Sequence, residues 1–353
     1  MELRINNGQL ELPGYRYITF LSKGSFIACF KAYDTKLEPV VLIISENQTE
    51  LQNRIRISQL LIGVPGIQSF ICLQQLQIIE DVEQLNQLYP KIFGKQSKVL
   101  IGPFYNQDMN TYLKDKTQQQ KIELFRKILK VVQELHSRNI YHMDLKPSNI
   151  MMQDENPILI DFGNSVTEDE VETVLNTSAY APKQDVYSCC ITSEKFDIYC
   201  LGSMLHEILS SVPLHSSLQN NSRQFYQLQQ HIGILATDLI TGMTKFQQEL
   251  RYTIEQCIKH PFFDNSNENE LLQLDQYKNQ ISLNIQSKSQ QNIFDQNKEH
   301  RKSGFIYGGS ESIVYSYTDL HTPALKPNIH IQQNLSNNFS EFSQIQHVEL
   351  SYE

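Results

Sequence analysis

The chain has 353 residues, of which 40% are hydrophobic and 10% aromatic, a composition typical of a globular protein with room for about two domains. Its formal net charge of −9 argues against a general nucleic-acid-binding protein, because phosphate backbones require a basic surface. The six cysteines show no CxxC spacing, the N-terminal residues do not resemble a signal peptide, and the apolar run Val40–Ile44 is too short to span a membrane. We therefore expect an intracellular protein, cytoplasmic or nuclear, with reduced thiols.

The first hundred residues predict mainly strands, because short runs of β-branched and aromatic residues alternate there with turn-forming residues. A helix is predicted over Thr49–Ile62, where Gly63 and Pro65 end the helical pattern. The predicted strands are Tyr15–Leu21, Phe26–Ala32, Pro39–Ser45, Phe70–Leu73 and Lys98–Ile101.

From about residue 108 the apolar residues recur at helical spacing instead. One helix is predicted around Ile122–Leu135, and Asn139 is its expected end. Two more are predicted over Lys195–Ser210 and Thr253–Lys259. A sheet-rich first part followed by a larger helical part predicts an α+β fold with two lobes.

The composition changes after Phe263. More than a third of residues 264–353 are Asn, Gln or Ser, which bury little apolar surface. This last part of the chain is therefore predicted to be a disordered tail.

The segment Ile140–Met152, IYHMDLKPSNIMM, places a dense polar cluster between apolar flanks. The cluster includes Asp144, Lys146 and Asn149, and Asp161 begins an Asp-Phe-Gly triplet twelve residues later. Phosphoryl transfer needs one carboxylate to orient the attacking hydroxyl, a cation for the transferred group, and an amide and a second carboxylate to hold magnesium. Each residue alone would more often be a turn former or a surface residue, but their joint spacing favours this chemistry.

Further motifs follow in order: SAYAP, ending at Ala181-Pro182, then FDIYCLG at Phe196–Gly202, and Arg251 before HPFF. With DLKPSN and DFG they resemble the eukaryotic protein kinase family over about residues 15–263, and DLKPSN resembles its Ser/Thr-specific version. Small-molecule kinases that share this fold are an alternative, but they generally lack the helix motif around Asp197 and the Ala-Pro signature.

The resemblance implies a protein-kinase-like α+β fold: a small antiparallel β-rich N-lobe over 15–104, a larger α-helical C-lobe over 105–263, and the tail over 264–353. It implies that Asp144 and Lys146 are catalytic, that Asn149 and Asp161 hold Mg²⁺, and that Asp197 braces the catalytic loop from below. ATP would be the cofactor.

The resemblance also implies where ATP binds. Gly102 would offer its carbonyl and Phe104 its N–H to the adenine, and Asp108 matches the acidic residue that often meets the ribose. Gly24 remains from the glycine-rich loop that covers the phosphates. The adenine walls and floor are expected to be Leu21, Cys29, Leu42, Ile101 and Met151.

Parts of the family's nucleotide site are missing from this sequence. The glycine-rich loop keeps only its middle glycine, and Ile44 stands where we expect the phosphate-binding lysine of the third strand. Residues 51–79 contain no Asp or Glu, so the lysine's helical partner is also missing, unless Glu50 serves from the helix start. Lys23 and Lys31 are expected to be surface lysines rather than substitutes.

Two functions from different classes are therefore compatible with the sequence. One is a protein Ser/Thr kinase of weak or atypical activity, acting on a protein substrate. The other is a catalytically inactive pseudokinase that binds a protein partner as a scaffold. Neither requires nucleic acid or a membrane span, and the sequence leaves the oligomeric state open.

Overall fold

The first part of the fold is built on an antiparallel five-stranded sheet with the strand order β3-β4-β5-β8-β6. The computed structural model describes residues 1–6, 9–24, 27–70, 72–78, 93–94, 96–170, 173–174, 179–182, 190–191, 193–214, 229–264, 270 and 272–282. The strands up to Pro103 are β1 Glu2–Asn6, β2 Gln9–Glu11, β3 Arg16–Lys23, β4 Ile27–Tyr33, β5 Pro39–Ser45, β6 Cys72–Gln75, β7 Gln77–Ile78 and β8 Lys98–Pro103.

The two faces of this sheet have different surroundings. One face packs against the N-terminal segment and buries one apolar cluster, made of Leu3, Leu12, Ala28, Phe30, Ala32, Val40, Leu42, Ile44, Leu76, Phe93, Val99 and Ile101. The opposite face carries Ile43 and Leu100, which pack against Leu51 of helix α1. Because side chains alternate along a strand, neighbouring residues of β5 belong to different faces.

Helix α1 spans Gln48–Leu60 and lies against the second face of the sheet. It begins at Asn47, whose side chain accepts a hydrogen bond from the Glu50 N–H, as expected of an N-cap. Its buried side includes a charged residue, Arg54, among Leu51, Ile57 and Ser58.

The second part of the fold is helical, as predicted, and its core forms around α3. Helix α3 begins with a capping box between Thr117 and Gln120 and buries Phe125, Leu129 and Val132. Tyr180, Phe196 and Ile254 bring later segments of the chain to the same core. The helices are α2 Met109–Leu113, α3 Gln118–His136, α4 Glu194–Ser210, α5 Ile234–Met243 and α6 Ile254–Ile258.

Short strands position the loops between these helices. β11 pairs with both β12 and β9, and β10 pairs with β13, all antiparallel. These strands are β9 Gln107–Asp108, β10 Ile140–Tyr141, β11 Ile150–Gln153, β12 Asn156–Leu159, β13 Val166–Thr167, β14 Thr173–Val174 and β15 Cys190–Ile191. The α+β class predicted from the sequence is confirmed.

One element lies where the composition predicted a disordered tail. Residues 272–282 are helical, and Leu274 and Tyr277 pack against Leu235 of α5. The Tyr277 hydroxyl also donates a hydrogen bond to the Gln256 carbonyl at 2.7 Å. The rest of the predicted tail, beyond residue 282, lies outside the described residues. Among the helices that the structure describes, none combines the length and the apolar character needed to cross a bilayer.

Candidate active site

A cleft of about 520 Å³ brings together the sheet, helix α1, the segment after β8 and the loops that follow α3. Three groups of residues line it: residues in and beside β3 and β4, residues of β5 and α1 together with Gln68, and residues of the segments 103–108 and 146–161. They are Leu21, Ser22, Lys23, Gly24, Ile27, Cys29, Val41, Ile43, Arg54, Gln68, Pro103, Phe104, Tyr105, Asn106, Asp108, Lys146, Ser148, Asn149, Met151, Ile160 and Asp161.

Asp197 fixes the loop that begins at His142. It lies in the first turn of α4 and is completely buried. Its two carboxylate oxygens accept the backbone N–H groups of His142 at 2.7 Å and Met143 at 2.9 Å, while His136 Nε2 lies 3.0 Å from Oδ2. A buried carboxylate is tolerated when it is hydrogen-bonded in this way, so the loop conformation depends on Asp197. This is the bracing role that the sequence predicted.

The three polar residues of the loop bind one another. Asp144 Oδ2 accepts hydrogen bonds from Lys146 Nζ at 2.7 Å and from Asn149 Nδ2 at 3.1 Å. Asn149 Nδ2 also donates to the Asp144 carbonyl at 2.8 Å. These contacts leave Oδ1 of Asp144 and the amide oxygen of Asn149 as the acceptors for a bound ligand.

His142 joins this loop to the Asp-Phe-Gly triplet. Its Nδ1 accepts the Asp144 N–H at 3.4 Å, so the ring proton lies on Nε2, which donates to the Ile160 carbonyl at 3.0 Å. Its ring centroid lies 5.1 Å from that of the buried Phe162. Asp161 itself has φ of 69°, a left-handed conformation that is uncommon for a residue with a side chain and is often found at functional sites.

Arg54 binds two carboxylates at the inner end of the cleft. Its Nη2 lies 2.8 Å from Glu50 Oε1 and 2.6 Å from Asp161 Oδ1. The Arg54 side chain is 3% exposed, whereas those of Glu50 and Asp161 are 22% and 29% exposed. Burial acts to lower the pKa of Arg54, but the charge of Asp161 and the contact with Glu50 outweigh it, so the pKa lies above its ordinary value. The guanidinium is therefore a fixed positive charge.

The side chain of Asn53, the residue before Arg54, binds backbone carbonyls in and just after the same triplet. Its Nδ2 lies within hydrogen-bonding distance of three carbonyl oxygens, those of Phe162 at 3.3 Å, Gly163 at 3.0 Å and Ser165 at 2.8 Å. A Cβ at Gly163 would lie 3.1 Å from Glu50 Cγ and 3.2 Å from Arg54 Nη2. Glycine therefore permits α1 and the triplet to approach closely.

The position of the missing lysine needs a correction of one residue. Ile44 was expected at that position, but it is buried on the sheet face away from the cleft. Val41 and Ile43 are the β5 residues that line the cleft. The conclusion that this strand offers no cation is unchanged, because both of these side chains are apolar.

Two of the expected adenine walls do not line the cleft. Leu42 and Ile101 pair with each other across β5 and β8 and are buried in the cluster on the opposite sheet face. Both were assigned with the wrong strand parity, and Val41 takes the place expected for Leu42. Gly102 is not among the lining residues either, since it pairs with Val41 and packs near Phe70.

The expected hydrogen-bond donor to adenine also has another partner. The Phe104 N–H donates to the Pro39 carbonyl at 3.3 Å, so in this structure it extends the strand pairing. Phe104 still lines the cleft, together with Pro103 and Tyr105. The backbone available to a base therefore lies on either side of Phe104.

The other expected nucleotide contacts lie together in the cleft: Leu21, Gly24, Cys29, Asp108 and Met151. Burial raises the pKa of the Cys29 thiol, which keeps it neutral and apolar. Burial also acts to raise the pKa of Asp108, but hydrogen bonds from the N–H and hydroxyl of Thr111 outweigh it and hold the pKa below its ordinary value. Asp108 is thus an ionised acceptor at the cleft edge.

Asn149 and Asp161 provide the kind of oxygen ligands that Mg²⁺ takes when it also binds phosphates and water. Both line the cleft, and the bond from Asn149 Nδ2 to Asp144 leaves its amide oxygen free to coordinate. The donor set therefore fits Mg²⁺, with one Asp161 oxygen already bound to Arg54. Elsewhere, the described residues contain no cluster of three or more His, Cys, Asp or Glu side chains suited to a metal.

The comparison with known families agrees with this geometry. The family model described as "Protein kinase domain" matches residues 67–263, more than half of the chain. The chain belongs to the protein kinase family. The matched range contains the loop of Asp144, the triplet at Asp161 and the Asp197 brace, whereas β5 and α1 precede it.

Similar proteins carry protein kinase names, and two of the three described next are named as serine/threonine-protein kinases. The chain is 25% identical over 270 residues to the SNF1-related protein kinase catalytic subunit alpha KIN12 of Arabidopsis thaliana, covering 72% of the chain and 52% of that relative. It is 27% identical over 161 residues to serine/threonine-protein kinase 17A of Oryctolagus cuniculus, covering 40% of each. It is 29% identical over 211 residues to a probable serine/threonine-protein kinase, dyrk2, of Dictyostelium discoideum, covering 57% of the chain and 22% of that relative. The chain thus spans about half of these relatives or less.

Sequence reasoning missed Arg54. The family pattern predicts a helical carboxylate that pairs with a strand lysine, whereas this helix brings a cation, Arg54, to the cleft. A signal was present, because Arg54 lies three residues from Leu51 and three from Ile57, on the face that apolar spacing predicts to be buried. A charged residue on a buried helix face is a candidate for a functional contact.

Proposed function

We propose that the chain is a protein Ser/Thr kinase that transfers a phosphoryl group from ATP to a hydroxyl of a protein substrate, with weak or atypical activity. The observation that carries the proposal is the network of Asp144, Lys146 and Asn149, held by Asp197 at the edge of the cleft. Positioned groups of this kind account for most of the protein's part in phosphoryl transfer.

Each group of the network has a task in this reaction. Oδ1 of Asp144 accepts a hydrogen bond from the substrate hydroxyl, because Oδ2 already binds Lys146 and Asn149. Lys146 lines the cleft and binds Asp144, and its ammonium group neutralises charge on the transferred phosphoryl. Asn149 and Asp161 would hold Mg²⁺, which supplies positive charge to the phosphate oxygens when it is bound.

The nucleotide would lie between the sheet and β11. Leu21, Cys29, Val41 and Met151 form its apolar surroundings, and Asp108 lies where it can accept a ribose hydroxyl. The apolar cleft face of β5 is the reason for expecting weak activity. Losing one preorganised charged contact to the reacting group typically costs about 10²–10³ in rate.

The second candidate is a pseudokinase that binds a protein partner. One specific observation favours it: Arg54 contacts Asp161 at 2.6 Å and thereby competes with the metal for one of the ligand oxygens. The apolar Val41 and Ile43 point in the same direction. Such a protein would keep the kinase fold and a nucleotide-sized cleft without transferring phosphate.

A transfer assay distinguishes the two candidates. Wild-type protein is given radiolabelled ATP, Mg²⁺ and a generic Ser/Thr substrate, and Asp144→Asn is the test variant. Asp115→Asn, which changes an exposed carboxylate between α2 and α3, is the matched control. We expect transfer by wild type and control, and a loss of about 10²–10⁴ in Asp144→Asn.

The opposite result is equally clear. No Mg²⁺-dependent transfer by wild-type protein that still binds ATP in a thermal-shift measurement would support the pseudokinase. Equal transfer by wild type and Asp144→Asn would show that Asp144 is not the residue that orients the hydroxyl.

A further inference from the structure

Strand β5 offers no cation to the cleft, but Arg54 of helix α1 lines it. Among the described residues, the positively charged side chains that line the cleft are Lys23, Arg54 and Lys146. Lys146 is bound to Asp144 on the helical side, and Lys23 is exposed at the end of β3. Lys31 does not line the cleft, because its ammonium lies over the Phe104 ring, 4.4 Å from the centroid. Arg54 is therefore the buried cation on the sheet side.

The guanidinium of Arg54 has donors to spare. Both of its carboxylate contacts, to Glu50 and to Asp161, are made through Nη2. A guanidinium carries five N–H donors, and the buried Nε of Arg54 has no hydrogen-bond partner among the described residues. The planar fork of an arginine matches the geometry of two phosphate oxygens.

We propose that Arg54 anchors the phosphate groups of the nucleotide, in place of the lysine that β5 lacks. The proposal rests on the nucleotide site of the proposed function, but it holds equally for an active kinase and for a pseudokinase that binds nucleotide. A phosphate chain held by a metal on Asp161 must lie beside that carboxylate. Arg54, 2.6 Å from Asp161 Oδ1, is positioned to meet it.

The neighbours of Arg54 set its direction. Glu50, four residues earlier on the same helix, and Asp161 both bind Nη2, at 2.8 Å and 2.6 Å. The two carboxylates together carry one more negative charge than the guanidinium neutralises, so this cluster alone does not attract phosphate. The proposal therefore expects phosphate and Mg²⁺ to bind together.

The test compares nucleotides that share a base but differ in phosphate. Affinities for ATP, ADP and adenosine are measured by calorimetry in the presence of Mg²⁺ for wild type, Arg54→Met and Arg54→Lys. Arg56→Met is the matched control, because Arg56 lies on the same helix but does not line the cleft and binds the exposed Glu170 at 2.8 Å and Asn53 Oδ1 at 2.7 Å. We expect Arg54→Met to lose about 10- to 100-fold in ATP and ADP affinity. Adenosine affinity should change less than twofold. The ATP affinity of Arg54→Lys should lie between those of wild type and Arg54→Met.

The control separates an anchoring role from a structural one. An equal loss of ATP and adenosine affinity would overturn the proposal, because adenosine has no phosphate to lose. Unchanged ATP affinity in Arg54→Met would overturn it too, even in a protein that transfers phosphate and so upholds the proposed function. Phosphate-dependent loss in a protein that transfers nothing would uphold the role of Arg54 and reject the enzyme.

A charge exchange covers the case in which Arg54→Met does not fold. Arg54→Glu combined with Ile43→Lys places a lysine on the cleft face of β5 and a carboxylate on α1, the arrangement usual in the family. We expect Arg54→Glu alone to lose at least 100-fold in ATP affinity, and the double variant to regain at least tenfold. A double variant no better than Arg54→Glu, with wild-type adenosine affinity, would count against a phosphate-binding cation at this place.

Discussion

The two sides of the cleft are organised differently. On the helical side, Asp144, Lys146 and Asn149 come from six consecutive residues and bind one another. On the sheet side, β5 presents only Val41 and Ile43 to the cleft, and one buried charged residue, Arg54, reaches it from helix α1. The helical side thus carries a connected polar network, whereas the sheet side depends on a single guanidinium.

This difference separates chemistry from nucleotide binding. A connected network keeps much of its geometry when one weak contact is lost, because Asp144 binds both Lys146 and Asn149. Arg54 is the one buried cation among the described residues on the sheet side, so its substitution is expected to change phosphate affinity directly. The family's motifs can therefore be present on the helical side of the cleft while the sheet side lacks the family's lysine.

The largest effect is expected from removing Asp197, on which the helical side depends. Asp197→Ala leaves two buried backbone N–H groups, those of His142 and Met143, without their acceptor, and it leaves His136 without its partner. Breaking a buried, hydrogen-bonded charge in this way costs about 3–5 kcal/mol of unfolding free energy. Urea denaturation of the purified protein measures it.

Glu194→Ala is the control for that variant. Glu194 lies in the same first turn of α4, but it is more exposed and reaches Lys195 only at 3.7 Å. Its removal should change the unfolding free energy by less than about 0.5 kcal/mol. If Asp197→Ala were as stable as this control, the loop would not depend on Asp197, and the two sides of the cleft would not differ in the way described.

A smaller effect is expected where the two sides meet. Asn53→Ala removes the amide that contacts the carbonyls of residues 162, 163 and 165, so α1 loses part of its hold on the triplet. We expect a loss of about 1–2 kcal/mol in unfolding free energy. Amide exchange should become faster within residues 162–166, and mass spectrometry can locate the change. Gln52→Ala, an exposed neighbour on the helix, should leave both quantities unchanged.

The helical side could be predicted from the sequence because its residues lie close together in the chain. One short loop carries Asp144, Lys146 and Asn149. Their side chains can therefore reach one another, and their spacing in the sequence already indicates these contacts. Asp197 lies 53 residues from Asp144, but its own motif marks it. Short-range patterns of this kind carry their structure with them.

The sheet side could not be predicted as well, and β5 shows the reason. Its sequence, PVVLIIS, is apolar at every position from Val40 to Ile44, so no alternation indicates which residues face the cleft. The parity was therefore assigned wrongly for Leu42 and Ile44. Tertiary contacts decide it: Ile44 packs with Leu42 on one face, and Ile43 packs with Leu51 on the other.

The helix at 272–282 was missed for a different reason. The amide-rich composition of residues 264–353 masked a short helical pattern in Leu274, Tyr277 and Ile281, which are spaced three and four residues apart. These three residues belong to the cluster that packs against α5. Composition averaged over 90 residues cannot detect an element of eleven.

The smallest expected effect concerns the attachment of that helix to the helical side, and it depends on pH. Asp238 of α5 accepts hydrogen bonds from Lys278 Nζ at 2.6 Å, the Tyr252 hydroxyl at 2.7 Å and His260 Nε2 at 3.3 Å. Burial acts to raise the pKa of Asp238, but these bonds outweigh it and lower the pKa to about 2, from an ordinary value of 3.8. Ionised Asp238 therefore stabilises the fold.

Because the unfolded chain takes up the proton first, this stabilisation is fully present above about pH 5 and is lost as the pH falls from about 4 to 2. We expect wild type to exceed Asp238→Asn by about 1 kcal/mol in unfolding free energy at pH 6, after allowance for solvent screening, and the difference to vanish near pH 2. Urea denaturation at several pH values measures both proteins. A difference that stayed constant between pH 6 and 2 would mean that Asp238 contributes by shape and hydrogen bonding rather than by charge. The helix at 272–282 would then be attached mainly by Leu274 and Tyr277.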